Sequence, residues 1–103
     1  MKQYRQGDVL IECIVKMPKN LKPAKRDNGR IVLAYGEVTG HAHAIVEERV
    51  ESFVDKSGAL YLSVEVPAKV AHEEHGHIDL PVGFYRVTRQ REYTPEEIRN
   101  VAD

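Results

Sequence analysis

All five histidines of the chain fall in two short windows. Gly40-His41-Ala42-His43-Ala44 holds two, and Ala71-His72-Glu73-Glu74-His75-Gly76-His77 holds the other three. Imidazole is the commonest metal ligand and the side chain that titrates nearest neutral pH. Two dense windows, with no histidine spent elsewhere, read as one site assembled from two chain segments.

On a strand, His41 and His43 point to the same face. Their Cβ atoms then lie ~6.5–7 Å apart, so both imidazoles can reach one ion through bonds of about 2.0–2.1 Å. The same parity runs on through Ile45 to Glu47, which adds a carboxylate. Ala42, Ala44 and Val46 form the opposite face, so this strand should be covered on both sides. In the second window, His72 and His75 are spaced to share the face of one helical turn. His75 and His77 are spaced to share a strand face, and Gly76 permits a bend between them. Glu73 and Glu74 can act as ligands, as partners that orient an imidazole, or as a general base.

The predicted ligands are therefore His41, His43, His72 and His75, with Glu47 and His77 as further candidates. Glu73 and Glu74 are the candidate catalytic bases. Nitrogen and carboxylate donors without thiolate suit Zn, Fe(II), Mn, Ni or Cu(II). Cys13 sits in an apolar alternating run and reads as a small buried hydrophobe rather than a ligand.

The elements that must hold these residues are mostly strands. Val9, Ile11, Cys13 and Val15 share one face of an alternating run. Leu60, Leu62, Val64 and Val66 do the same in the next clear case. Such period-two patterns mark half-buried strands. Ile31 to Tyr35 is a short continuous apolar run, and Phe84 to Arg91 carries Phe84, Tyr85 and Val87 among polar residues. Asp55-Lys56-Ser57-Gly58 separates Val50–Val54 from Ala59–Glu65 as a hairpin loop. Pro67 ends the strand before it. About seven short strands at this spacing predict an all-β fold, a small antiparallel barrel or sandwich. One helix is predicted over 94–103. Thr94 would be its N-cap, Pro95 its first residue, and Glu97 would complete a capping box.

The chain has 103 residues, enough for one domain with one modest core. Fifteen basic and sixteen acidic residues leave a net charge of −1, which offers no general attraction to nucleic acid or anionic membrane. The basic run Lys16, Lys19, Lys22, Lys25, Arg26 and Arg30 is broken by Pro18 and Pro23 and reads as a solvated connector. The single cysteine allows no internal disulfide, which suits a reducing compartment. No apolar stretch reaches the ~18 residues of a membrane span, and the N-terminus has no secretory apolar region. A cytoplasmic protein is expected.

Two resemblances follow from these motifs. Gly36, His41, His43 and Glu47 resemble the first motif of the cupin superfamily, with the glycine one residue closer than usual. Pro81-Val82-Gly83-Phe84-Tyr85 is similar to the second cupin motif, but Arg86 stands where that motif has its metal histidine. The resemblance implies a cupin-like β fold and a metal site whose fourth ligand must come from His72, His75 or His77. Over nearly its full length the chain also resembles a group of small uncharacterised bacterial and phage-borne proteins. The residues that carry this are Gln6-Gly7-Asp8-Val9-Leu10, Gly40-His41-Ala42-His43, His72-Glu73-Glu74-His75, Leu80 to Val87 and Gln90 to Tyr93. That resemblance implies no particular activity.

The expected function is binding of a divalent transition metal, with hydrolytic or oxygen chemistry if the site is catalytic. The competing expectation is a non-catalytic, phage-associated interaction module with a structural metal or none. A basic-aromatic face of Tyr85, Val87, Arg89, Arg91 and Tyr93 could dock a partner or phosphate, or be an edge strand protected by charge; with the terminal helix, this strand could also carry a homodimer contact.

Overall fold

A computed structural model describes residues 2–36 and 41–89. Ten strands follow in chain order: β1 Gln3–Gln6, β2 Val9–Ile14, β3 Lys22–Pro23, β4 Ile31–Tyr35, β5 Ala42–Ile45, β6 Val50–Val54, β7 Leu60–Val64, β8 Ala68–Val70, β9 Ile78–Leu80 and β10 Gly83–Arg89. Among the described residues there is no helix. The helix expected over 94–103 lies outside them.

Six strands form one antiparallel sheet in the order β1-β2-β10-β7-β6-β3. β4 pairs with β5, and β8 with β9, as two antiparallel ribbons. The all-β antiparallel expectation holds, but of the expected barrel or sandwich a closed barrel is not formed. β1 and β3 are the two ends of the large sheet. β3 has only two residues, and one of them, Pro23, has no N–H to give to a further strand.

The alternation read from the sequence sets the buried face. Val9 and Ile11 of β2, Leu62 and Val64 of β7, and Tyr85 and Val87 of β10 all point into one core. Ile31, Ala34 and Ile45 reach it from the β4–β5 ribbon, and Ala68, Val70 and Leu80 from the β8–β9 ribbon. Cys13 is half-buried and packs against this core. All four residues of β5 are buried, as strand cover on both faces requires.

Turn chemistry fixes the ends. Gly7 and Asp8 are the two-residue loop between β1 and β2, whose last pair is Gln6 with Val9. Gly7 has φ +59°, and a glycine first in a two-residue loop is the type II′ pattern that matches strand twist. In the β6–β7 loop, one oxygen of Asp55 accepts from Ser57 N, Ser57 Oγ and Ala59 N. Those bonds hold the Asp55 carboxyl below the usual carboxylate range.

The connector between β2 and β4 is tied down by the β3–β6 pairing and by one side chain. Arg26 donates to the carbonyls of Gly29, Val46, Glu47 and Val50. It thereby fastens the loop to the β5–β6 turn. Arg26→Ala leaves partly buried carbonyls without donors and should lower unfolding free energy by about 2 kcal/mol. Arg49→Ala removes only an exposed pair with Glu65 and should change it by less than about 1 kcal/mol. Urea denaturation of both variants checks the contrast.

Candidate metal centre

Two backbone bonds bring the histidine windows together. Ala44 N donates to Ala71 O at 3.0 Å, and Ala71 N to Ala44 O at 2.9 Å. They form an antiparallel bridge between β5 and the residue after β8. Followed outwards by one residue, that register sets His72 opposite His43. Two residues out it sets Glu73 opposite Ala42, and three out Glu74 opposite His41. The side-chain contacts agree. The His43 and His72 ring centroids are 4.3 Å apart. Glu73 Oε1 accepts from Ala42 N at 2.9 Å. Glu74 Oε2 lies 3.6 Å from His41 Nδ1.

His75 joins from the bend that follows. Its ring is 4.7 Å from that of His72 and 5.8 Å from that of His43. Residues 73–75 form bends rather than the helical turn that the spacing allowed. His41, His43, His72 and His75 therefore converge. His77 does not join them. It is exposed, and its Nε2 faces Asp79 at 3.7 Å. Glu47 lies beyond the other end of β5, where its Oε2 accepts from Lys69 N at 3.2 Å.

Within the cluster, His41, His72 and Glu73 each offer one ligand atom, and these three atoms lie within 4.8 Å of one another. Burial differs across the set: His41 and His72 are half-buried and Glu73 is exposed. The Glu73 carboxyl is held below its ordinary range, first by the Ala42 N–H and then by its own backbone N–H, so it is anionic. His41 Nδ1 is buried and has no hydrogen-bond partner among the described residues.

Behind this trio stands a network that no motif predicted. Gln6 is 2 % exposed. Its Nε2 donates to Val70 O at 3.0 Å and to Gly76 O at 2.8 Å. Carbonyls only accept, so the Gln6 amide nitrogen must face them and Oε1 must face the other way. There it meets His43 Nδ1 at 2.7 Å. His43 Nδ1 is therefore the protonated nitrogen, and a neutral His43 carries its lone pair on Nε2. That atom looks toward Asp8 Oδ1 at 3.8 Å, and Asp8 Oδ2 accepts from Arg89 Nε at 2.7 Å. Gly7 leaves room for the rings. A Cβ there would sit 2.8 Å from His75 Nε2 and 3.4 Å from His43 Cε1.

Electrostatics follow from these placements. Burial pushes His43 below its ordinary value, the neighbouring His72 pushes the same way, and Asp8 opposes both. For Asp8, burial alone would raise the pKa, but the hydrogen bond and charge of Arg89 outweigh it and hold the carboxyl low. Gln6, Gly7, Asp8 and Arg89 were not among the expected site residues. The run Gln6-Gly7-Asp8 carried a family resemblance, but no residue type in it announced a link to a histidine 37 positions away.

Residues 5–90 match a family described as a domain of unknown function, DUF8820, and the chain belongs to that family. No curated protein and no solved structure matches it.

Two measurements test the network. Gln6→Ala leaves the buried Val70 carbonyl and the His43 N–H, and the partly buried Gly76 carbonyl, without their partner. It should cost about 2–3 kcal/mol of stability and mix the His43 tautomers, seen in imidazole nitrogen NMR shifts. For pH, the folded-state pKa of His43 lies below the unfolded value of 6.5. Below 6.5 the unfolded chain binds the proton first. The stability from a neutral His43 is thus full above 6.5 and declines as pH falls toward the folded value. With a chelator present, the urea midpoint should be lower at about pH 5.5 than at about pH 7.5. His43→Gln should flatten that difference.

Proposed function

We propose that this protein binds one divalent transition metal through His41, His72 and Glu73, at the seam between β5 and the segment after β8. The observation that carries the reading is His41 Nδ1. A buried imidazole nitrogen without a partner is costly, and the ring that carries it stands with a second imidazole and an anionic carboxylate. An ion bound there removes that cost. Two histidines and one carboxylate suit Zn(II) or Fe(II) and leave coordination positions for water or substrate. His43 and His75 pack against His72 and would support the ligands, with Gln6 holding His43 in one tautomer.

Loading the site exchanges one bond for another. His72 Nδ1 now accepts from Glu74 N at 3.0 Å. That bond places the proton of a neutral His72 on Nε2. A metal at Nδ1 displaces the Glu74 N–H directly. A metal at Nε2 needs the proton moved to Nδ1, where it would face the same N–H. Either way the Glu74 backbone is released. Its carboxylate, already 3.6 Å from His41 Nδ1, is then placed to complete the ligand shell or to accept a proton from a polarised water. Of the two candidate bases, Glu74 fits that role better, because Glu73 belongs to the ligand trio.

Metal content and titration decide the matter. Chelator-stripped protein offered Zn, Fe(II), Mn, Ni or Cu(II) should take up near-stoichiometric metal from that set. His41→Ala, His72→Ala and Glu73→Gln should each weaken binding at least about tenfold, the effect of losing a ligand worth about 1.4 kcal/mol or more. His77→Ala and Glu47→Gln should leave it unchanged. Hydrogen exchange at the Glu74 amide should quicken on loading. Folded protein that takes up none of these ions sinks the proposal.

A further inference from the structure

A cleft of about 320 Å³ opens at the far end of β10 from Gly83, near the lower bound of the ~300–1,000 Å³ typical of small-molecule sites. We propose that it binds a small organic anion, a carboxylate or phosphate carried on a short apolar body. This inference does not depend on the metal centre.

The cleft exists because two strand pairings end at different places. β10 pairs with β2 as far as Arg89 with Val9, but with β7 only as far as Val87 with Leu60. Thr88 and Arg89 therefore have no β7 partner. Successive residues of an antiparallel strand turn their N–H and C=O to opposite sides. One of these two residues thus turns its N–H and C=O to the side that β7 has left, where no strand of the described residues pairs with it. The β6–β7 loop walls the space, and Asp55 makes that wall rigid through its three bonds to Ser57 and Ala59.

The lining has two characters. Leu33 from β4, Leu60 and Val87 supply aliphatic surface. Among the described residues that line it, Arg86 and Arg89 are the ionisable ones and none is a carboxylate. Arg89 is held in place by Asp8, which takes its Nε and leaves the terminal guanidinium nitrogens for a ligand. Holding a long side chain beforehand reduces the entropy lost on binding. Arg86 supplies a second positive charge. Glu12, its cross-strand neighbour, accepts from Gln3 Nε2 at 3.0 Å. Guanidinium groups pair with carboxylate or phosphate through two parallel bonds, and the aliphatic wall accepts what that anion is attached to.

Backbone NMR of the full chain with hexanoate, hexyl phosphate, inorganic phosphate and hexanol tests this. Hexanoate or hexyl phosphate should give saturable shifts centred on the amides of Gly58, Ala59, Leu60 and Thr88. The tighter of the two identifies the anion. Inorganic phosphate should bind more weakly for want of an apolar body, and hexanol for want of a charge. Arg86→Gln, an exposed change whose own spectrum verifies the fold, should weaken binding at least about fivefold. Leu33→Asn should weaken the hexyl ligands but not inorganic phosphate. The double variant His41→Ala/His72→Ala should bind as well as the parent. Absence of saturable shifts overturns the proposal. Hexanol binding as tightly as the anions, or shifts centred elsewhere, overturns it too.

Discussion

The geometry around the histidines depends on the paired backbone bonds between Ala44 and Ala71. β5 and β8 belong to different ribbons, and this bridge joins them. Its register decides everything that flanks it: which imidazole meets which, and which glutamate meets an N–H. A slip of one residue would turn each of these side chains to the other face. Small residues at both bridge positions let the two segments approach closely. His43 and His72 then pack their rings at a tilt just outside it. The two windows are thus brought together by the backbone bridge, and the side-chain contacts follow its register.

Gln6 secures that arrangement from the other side. It stands on β1, the edge of the large sheet, yet it bonds to the last residue of β8 and to Gly76. A buried amide that satisfies two carbonyls and one imidazole has little freedom left. It therefore transmits the position of the sheet edge to the ring of His43. Asp8 and Arg89 complete the same function on the Nε2 side. Arg89 also lines the cleft at the end of β10, so one ion pair separates that cleft from the histidines.

The strands with a full alternating pattern were legible in the sequence. β2, β6, β7 and β10 appear close to where apolar periodicity put them. β1, β8 and β9 were not foreseen, because three or four residues give too little periodicity to read. Barrel closure could not be judged from strand count. It turned on a two-residue strand with a proline at the sheet edge. Convergence of four histidines was legible because imidazoles are few and were clustered. Glu47 was placed by extending strand parity, but β5 stops at Ile45 and the parity stops with it. His77 follows Gly76, where the chain turns away toward β9. Gln6 and Asp8 were illegible in principle, since their roles rest on bonds to residues 37 to 81 positions away.

A metal could serve this fold as a clip or as a reagent, and the energetics favour the second. A clip matters where the core is too small to hold the segments together. Here the core draws buried residues from the large sheet and from both ribbons, and the two histidine segments are already joined by the Ala44–Ala71 bonds and by Gln6. An ion at His41, His72 and Glu73 would add little to that closure. It would instead satisfy one orphan nitrogen and free the Glu74 backbone from His72. A site whose loading releases a carboxylate beside the metal, on an exposed bend, is arranged to present the ion outward. Structural centres close their ligand shells, whereas a three-ligand trio leaves positions open. On the proposed reading, the same trio, on segments already joined without it, would be better suited to act on something that arrives from solution.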